Sequence, residues 1–472
     1  MIEDQVQSTL FTTCQGHPGQ MIVVGFSGGA DSLCLLHLLA AFPIKVIAVH
    51  YDHGLRSESS AEAVHCQEIA KGLGVQFASG SGDVRRFAAE CGLSIEEAAR
   101  IMRYRFLFDT AGSLNADAVA TAHHADDQVE TILMHLLRGA GPDGLSGMNY
   151  RSSDPLGESE IPLIRPLLGI WREQIMKYCE EHQLDPLQDA TNQESTYFRN
   201  RIRLELIPEL ETYNRQVRQH LWQTAAIVAD ENQGLSVLTR EAVSAVITRR
   251  GESWIELDQG EFSRQPLWLQ RRIFRKVLFE FRKTLRDFDF SQVERALSYL
   301  NHPEAGKTCQ INADMELFAT NRTRVVLAKK HALLVELWPQ IDFASQIIHD
   351  RQAEINLPGG WALRMKTGEV HRPFIQDEDP WKATLDADAL SGTLSLGKRQ
   401  KGELFEPFGM AGEKIKVGDF FTNVHLPSRA RDHWPLLRSG DQIAWIPGFR
   451  LADFCKVTAE TKQVLQLELM QK

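Results

Sequence analysis

The chain has 472 residues, with 52 Lys and Arg against 62 Asp and Glu and a formal net charge of −10. That balance excludes a general attraction to nucleic acid or to an anionic membrane, so a polyanion partner has to be met by local basic patches. A hydrophobic content of 43% and a charged content of 24% are those of an ordinary globular protein, and the length suffices for about two to four domains with their own cores.

The seven cysteines, Cys14, Cys34, Cys66, Cys91, Cys179, Cys309 and Cys455, are scattered, and no two form a C-x-x-C pair. This spacing argues against a zinc site or a disulfide framework and for a reducing compartment. Residues 1–20 hold no apolar signal core, and the apolar stretch 33–42 is interrupted by His37 and too short to span a bilayer. A cytoplasmic protein without membrane contact is the expectation.

Residues 21–26 form a short apolar run that predicts a buried strand. The chain then breaks on Gly28–Gly29 and resumes as a helix through Leu33, Leu36 and Leu39. Strand, glycine turn and helix start aim backbone N–H groups and a helix N-terminus at one spot, which suits phosphate. No lysine follows the glycines, so this is not the GxxxxGK[ST] loop, nor is it GxGxxG. Ser27 and Ser32 offer hydroxyls, and Asp31 beside a polyphosphate makes sense with Mg²⁺ between the charges. The plainer reading is that Asp31 and Ser32 cap the helix.

Residues 45–50 predict a second strand, 60–74 a helix, 75–79 a third strand, 95–112 a helix, 116–122 a strand and 125–138 a helix. Strands alternating with helices give an α/β fold, a parallel sheet with helices on both faces. Ligands in such sheets bind beyond the carboxyl ends of the strands. Besides the glycine turn, two strand ends carry polar clusters: His50, Tyr51, Asp52, His53 and Arg56, and then His123, His124, Asp126, Asp127 and Glu130. Helix capping by acids explains one or two of these carboxylates, but not the histidines beside them. A His–Asp metal site fits less well, because the two histidines lack the i, i+4 spacing of a helical zinc site. Arg100 and Arg103 fall one turn apart, and Arg100 could simply pair with Glu96.

Residues 139–166 are rich in Pro, Gly and Ser, a long connection of the functional or mobile kind. A helix over 167–182 follows, then Asp189–Ala190–Thr191–Asn192 and, after Tyr197, the stretch Arg199, Arg201, Arg203 up to Pro208. Alternating arginines do not share one helical face, which favours polyanion contact over a plain amphipathic pattern. Residues 214–337 are helical and basic in patches, with Arg271, Arg272, Arg275, Lys276, Arg282, Lys283 and Arg286 interleaved with apolar residues. That stripe suits phosphate contacts, although an amphipathic helix with a basic outer face accounts for it too. Residues 342–472 read as short β-rich runs with basic and aromatic residues.

SGGADS at Ser27–Gly28–Gly29–Ala30–Asp31–Ser32 after a strand resembles the signature of the PP-loop (N-type) ATP pyrophosphatases, which split ATP between its α- and β-phosphates. Taken in order, SGGADS, VHYDHGLR, ARIMRY, TAHHADDQVETILMHLLRGAG and FRNRIRLELIP over residues 21–208 resemble the tRNA(Ile)-lysidine synthetases. The resemblance implies a PP-loop ATPase-type α/β domain at 1–213, a helical basic tRNA-binding domain at 214–341 and a smaller β-rich α+β domain at 342–472 that grips the acceptor arm. It implies adenylation of the wobble cytidine of tRNA(Ile) with a CAU anticodon, then displacement of AMP by the ε-amine of L-lysine.

On that resemblance Ser27, Gly28, Gly29, Ala30, Asp31 and Ser32 bind ATP, with Asp31 the Mg²⁺ ligand. Arg103 stabilises the α-phosphate, and Asp127 orients the lysine amine and accepts a proton. His123, His124, Asp126 and Glu130 complete the substrate site, and Arg199, Arg201 and Arg203 hold the anticodon backbone. The resemblance also allows a homodimer. One departure is Gly402–Glu403–Leu404, where the family commonly has a basic residue after the acid; no role is assigned there. Three rivals stand beside this reading. A PP-loop tRNA thiolase generally carries paired cysteines, which this chain lacks. An amide-forming synthetase does not explain the basic helical region or the β-rich part. The third is a non-catalytic RNA-binding protein on a relic nucleotide fold.

Overall fold

The computed structural model describes residues 1–54, 59–187, 198–282, 288–304, 306–370, 374, 378–410 and 412–472. Leu55, Arg56, residues 189–192, Tyr197, Lys283 and Arg286, all singled out above, lie outside the described residues. The chain divides into two compact units, Met1–Leu235 and Ser236–Lys472.

In the first unit the elements run α1 (Ile2–Ser8), β1 (Met21–Gly25), α2 (Ala30–Ala40), β2 (Lys45–Asp52), α3 (Ser59–Gly72), β3 (Gln76–Ser81), α4 (Val84–Cys91), α5 (Ile95–Ser113), β4 (Ala118–Ala120) and α6 (Ala125–Leu137). They continue with α7 (Pro142–Leu145), β5 (Arg151–Ser152), β6 (Leu163–Ile164), α8 (Arg172–Glu181), α9 (Phe198–Arg201), α10 (Ile207–Tyr213) and α11 (Val217–Val246). The sheet order is β3-β2-β1-β4-β6-β5. All neighbours are parallel except β5 on β6. From β1 the chain builds outward through β2 and β3, then returns to place β4 on the other side of β1. The junction of β1 and β4 is therefore the topological switch point, where ligands of open α/β sheets sit.

Strand periodicity explains the two covered faces. Ile22, Val24, Ala118 and Ala120 face the core shared with Leu33, Leu35, Leu36 and Leu39 of α2 and Ile175 of α8. The alternate residues Val23, Ile47, Val49 and Val119 pack on Tyr104, Leu107, Phe108 and Ala111 of α5. Residues 139–166 are not a loose connection: they contain α7 and supply β5 and β6 as one edge of the sheet.

The second unit opens with an antiparallel sheet that composition did not announce within the helical region. It has β7 (Ile247–Gly251), β8 (Trp254–Asp258), β9 (Thr308–Gln310), β10 (Met315–Ala319) and β11 (Arg324–Lys329) in the order β7-β8-β11-β10-β9. Helices α12 (Gln259–Arg264), α13 (Leu267–Arg282) and α14 (Phe290–Asn301) share one core with it through Phe262, Ile273, Phe274, Val277 and Leu297. Burying that face leaves the α13 arginines outward, where Arg271 clasps Glu294 (2.7 Å). The remainder is β-rich, in sheets of five, four and two strands around a core that includes Trp361, Trp434 and Trp445. Glu403, the departure noted above, is structural: it receives Nε and Nη2 of the buried Arg438 at 2.7 and 2.9 Å.

Candidate active site

The glycine turn leaves the carboxyl end of β1, with Phe26 still donating its N–H to Val49 (2.8 Å). Gly28 has φ +82°, a conformation that L side chains rarely adopt. A Cβ there would lie 2.5 Å from Cδ1 of Leu187, whose own N–H donates to the Gly28 carbonyl at 3.0 Å. Gly29 is the N-cap of α2 with no side-chain cap, so the plainer reading of Asp31 and Ser32 as caps is not the arrangement found. Instead Ser32 braces the turn: its Oγ accepts from the Ser27 N–H (3.2 Å), meets Ser27 Oγ (3.1 Å) and donates to the Gly29 carbonyl (3.0 Å). Leu33 donates the first intrahelical bond, to Gly29. The N–H groups before it, from Ala30 to Ser32, are of the kind a helix start offers to an anion.

Asp31 stands on the first turn of α2. Its Oδ2 lies 3.4 Å from Arg172 Nη1 and 3.7 Å from His124 Nε2, while Oδ1 is buried without a hydrogen-bond partner. Burial pushes the Asp31 carboxyl above the usual aspartate range, against the opposing charges of His124 and Arg172.

The second half of the site follows β4. His124, 1% exposed, caps α6, and its N–H donates to Asp127 Oδ2 (3.1 Å). The His124 ring lies among three carboxylates: Nε2 is 3.5 Å from Asp127 and 3.7 Å from Asp31, and Nδ1 is 3.6 Å from Asp126. His123 turns the other way, Nδ1 against Thr121 Oγ1 at 2.9 Å, and burial holds it well below the usual histidine range, hence neutral. Asp126 is a brace: Oδ2 accepts the N–H that opens α8 at Arg172 (2.9 Å), and Oδ1 accepts Arg218 Nη1 (3.0 Å).

Arg199 and Arg203, one turn apart, do share a face. Arg199 donates Nε to Glu130 (2.6 Å) and Nη2 to Asp127 (3.0 Å). Arg203 donates Nε to Glu130 (2.5 Å) and reaches Asp127 at 3.4 Å. Burial pushes the Asp127 carboxyl up, but His124 and Arg199 outweigh it and hold the group below the usual range. Arg201 faces away and pairs with Glu205 (3.5 Å). Arg103, on α5, has an unpartnered Nε and lies with Cζ 5.6 Å from the Tyr104 ring; burial lowers its pKa. His50 is anchored by Nδ1 on the Phe26 carbonyl (3.0 Å), and burial takes His53 down to about 4.

The fold thus brings Asp31, His123, His124, Asp126, Asp127, Glu130, Arg199 and Arg203 to the switch point beside the glycine turn, and leaves Arg201 outside. Three contributors escaped the motif reading: Leu187, Arg172 and Arg218. For Arg172 a signal existed, because a cation in the first turn of a helix opposes the helix dipole and needs an anion to justify it.

A family profile described as "PP-loop domain" matches residues 2–210, and one described as "TilS substrate C-terminal domain" matches residues 394–468. The tRNA(Ile)-lysidine synthase of Symbiobacterium thermophilum is 34% identical over 453 residues, covering 91% of this chain and 90% of that protein. That of Dehalococcoides mccartyi is 31% identical over 460 residues, covering 95% of each. A solved structure described as "Crystal structure of TILS C-terminal domain" covers 27% of this chain and 97% of that one at 24% identity and a TM-score of 0.24. On full-length identity above 30%, and with both profiles matched in order, this chain belongs to the tRNA(Ile)-lysidine synthase family.

Proposed function

We propose that the chain uses ATP to adenylate the wobble cytidine of tRNA(Ile) with a CAU anticodon and then joins L-lysine to it, releasing AMP and pyrophosphate and forming lysidine. Family membership supports the ligase activity and the tRNA. The observation that carries the residue-level reading is His124, which ties the carboxylate after β1, Asp31, to the carboxylate after β4, Asp127, within 3.7 Å.

The open N–H groups at the start of α2 take the phosphate tail, with Gly28 and Gly29 letting the backbone close on it. Asp31 fits Mg²⁺, since a buried carboxylate oxygen without a hydrogen-bond partner next to a phosphate site suits a hard cation. When bound, the ion offsets charge on the departing pyrophosphate. Arg103 faces the α-phosphate. The lysine ammonium, with an ordinary pKa of ~10.4, has to lose a proton before it attacks. Asp127, held ionised, orients it and accepts its proton, with Glu130 adding negative charge. Much of the rate then comes from alignment of a large RNA with a small amine.

The three-part division at 1–213, 214–341 and 342–472 belongs to this proposal, the last two parts holding the tRNA body and acceptor arm. Support comes from the outward basic face of α13 and the profile match at 394–468. Among the described residues no helix is long and apolar enough to cross a membrane, and a cytoplasmic location is proposed with the rest. The reading also allows a homodimer, which sedimentation would check. Incubation with α-labelled ATP and the tRNA in the absence of lysine tests the order of steps: label enters the RNA and is chased out as AMP by lysine. Asp127→Asn is expected to keep the first step and lose the second; full lysine transfer by that variant would remove Asp127 from its role.

A further inference from the structure

Several arginines of the first unit, Arg86, Arg105, Arg199, Arg203 and Arg218 among them, meet a carboxylate. Among the described residues Arg100, Arg103 and Arg165 have no carboxylate partner, and the Glu96 to Arg100 pair that their spacing allows is not formed. They gather around one ring: the guanidinium carbons of Arg100 and Arg103 lie 4.8 and 5.6 Å from the centre of Tyr104.

Arg165 reaches the same place from the sheet. It follows β6, whose Ile164 carbonyl accepts the N–H of Thr121, the residue that holds His123 (3.1 Å). Arg165 is only 6% exposed. One arm is fixed, Nη1 donating to the Asn149 carbonyl (2.8 Å) and to Ser152 Oγ (3.1 Å), and its Nε is buried with no acceptor. Arg103 Nε and His53 Nδ1 are buried and unpartnered among the described residues as well. Three orphaned nitrogens in one neighbourhood, two of them on guanidinium groups, call for an acceptor that brings its own negative charge. His123 feels Arg165, Arg103 and Arg100 alike, and all three disfavour its charged form.

We infer that Arg165, with Arg100, extends the Arg103 position into a three-arginine pocket for a phosphodiester, at the ends of β4 and β6 beside His123. Planar guanidinium forks without counter-ions match the non-bridging oxygens of a phosphate group. The glycine turn receives the part of ATP that leaves, and this pocket receives a phosphate that stays with a nucleoside. That phosphate has two sources, the α-phosphate of the adenylate and the RNA backbone next to the target cytidine. The inference rests on the lysidine-forming reading for its substrates, but its test is a binding comparison that does not need turnover.

Full-length Arg165→Met, Arg165→Lys and Arg100→Gln are compared with the parent chain for binding of ATP with Mg²⁺, of a tRNA(Ile) transcript with a CAU anticodon, and of L-lysine. Loss of a charge-assisted bond to phosphate is expected to weaken ATP or tRNA binding by about tenfold to a hundredfold in Arg165→Met, less in Arg165→Lys. Weakening confined to ATP assigns the α-phosphate, and weakening confined to tRNA assigns the backbone. Arg100 is on the surface, so Arg100→Gln keeps the test valid if Arg165→Met unfolds, and it is expected to weaken the same ligand. Unchanged ATP and tRNA binding in Arg165→Lys and Arg100→Gln, or a loss confined to lysine, would overturn the inference. A parent chain that binds all three ligands yet forms no lysidine would refute the function instead and leave the binding comparison standing.

Discussion

Nε of Arg199 donates to Oε2 of Glu130 across 2.6 Å, and Glu130 is 1% exposed. With Arg203 on its other oxygen, Glu130 fastens α9 and the turn after it to α6 through two ion pairs at once. Charge removal leaves two partly buried guanidinium groups short of a partner. Glu130→Gln is therefore expected to lower stability by about 3 kcal/mol, the low end for a broken buried pair because both arginines keep some solvent. Denaturant titration checks this; a change within ~0.5 kcal/mol would place the pair among surface bridges.

The glycine turn tolerates no side chain at its first glycine. Gly28→Ala combines a φ of +82° with a contact of 2.5 Å to Leu187. It is expected to cost about 1–2 kcal/mol in backbone strain alone and to abolish nucleotide binding, whereas Leu187→Ala, which opens that contact, retains it. Calorimetric titration with ATP separates the two. Equal affinity in Gly28→Ala and the parent chain would remove the turn from the phosphate site.

Asp127 couples stability to pH. Its folded pKa is depressed by His124 and Arg199 acting against burial. The stability it contributes is thus complete above the unfolded aspartate value of about 3.9 and is lost as pH falls through the lower folded value. Asp127→Asn is expected to be less stable than the parent at neutral pH, with the gap closing on acidification below about pH 4. A pH series of urea titrations reads the gap directly; a constant difference would mean that the charge is not what holds the loop.

Thiol chemistry should sort by burial. Cys91 is exposed, whereas burial pushes Cys14 up to about 11 and Cys66 and Cys455 to about 12. At pH 8 a disulfide-exchange reagent is expected to label Cys91 quickly and those three only after unfolding. Peptide mapping identifies the labelled residues, and rapid native labelling of Cys66 would contradict the packing of α3 on the sheet.

The α/β core was legible because its evidence is local. Apolar runs such as residues 21–26, punctuated by Gly28–Gly29 and followed by the α2 leucines, carry period and boundary together. The short strands Arg151–Ser152 and Leu163–Ile164 were not, since two residues hold no periodicity. Nor was the sheet of the second unit: Arg249 and Arg250 in β7 read as part of a basic helical stretch until β8 pairs with them. The site divides the same way. Asp31, His124 and Asp127 announce themselves inside contiguous motifs. Arg172 and Arg218 act through partners 46, 92 or more positions away, distances that only the folded chain closes. The alternating arginines illustrate the middle case, because Arg199 and Arg203 turned inward and Arg201 outward.

The account stands most directly on one measurement: mass analysis of the nucleosides of a CAU-anticodon tRNA(Ile) transcript after incubation with the purified chain, ATP, Mg²⁺ and L-lysine. The wobble cytidine is expected to gain the mass of lysine less water, with one AMP released for each residue modified and none when lysine is left out after the first adenylation. ATP breakdown to AMP with an unaltered cytidine, or a sulfur-bearing product in its place, would contradict it.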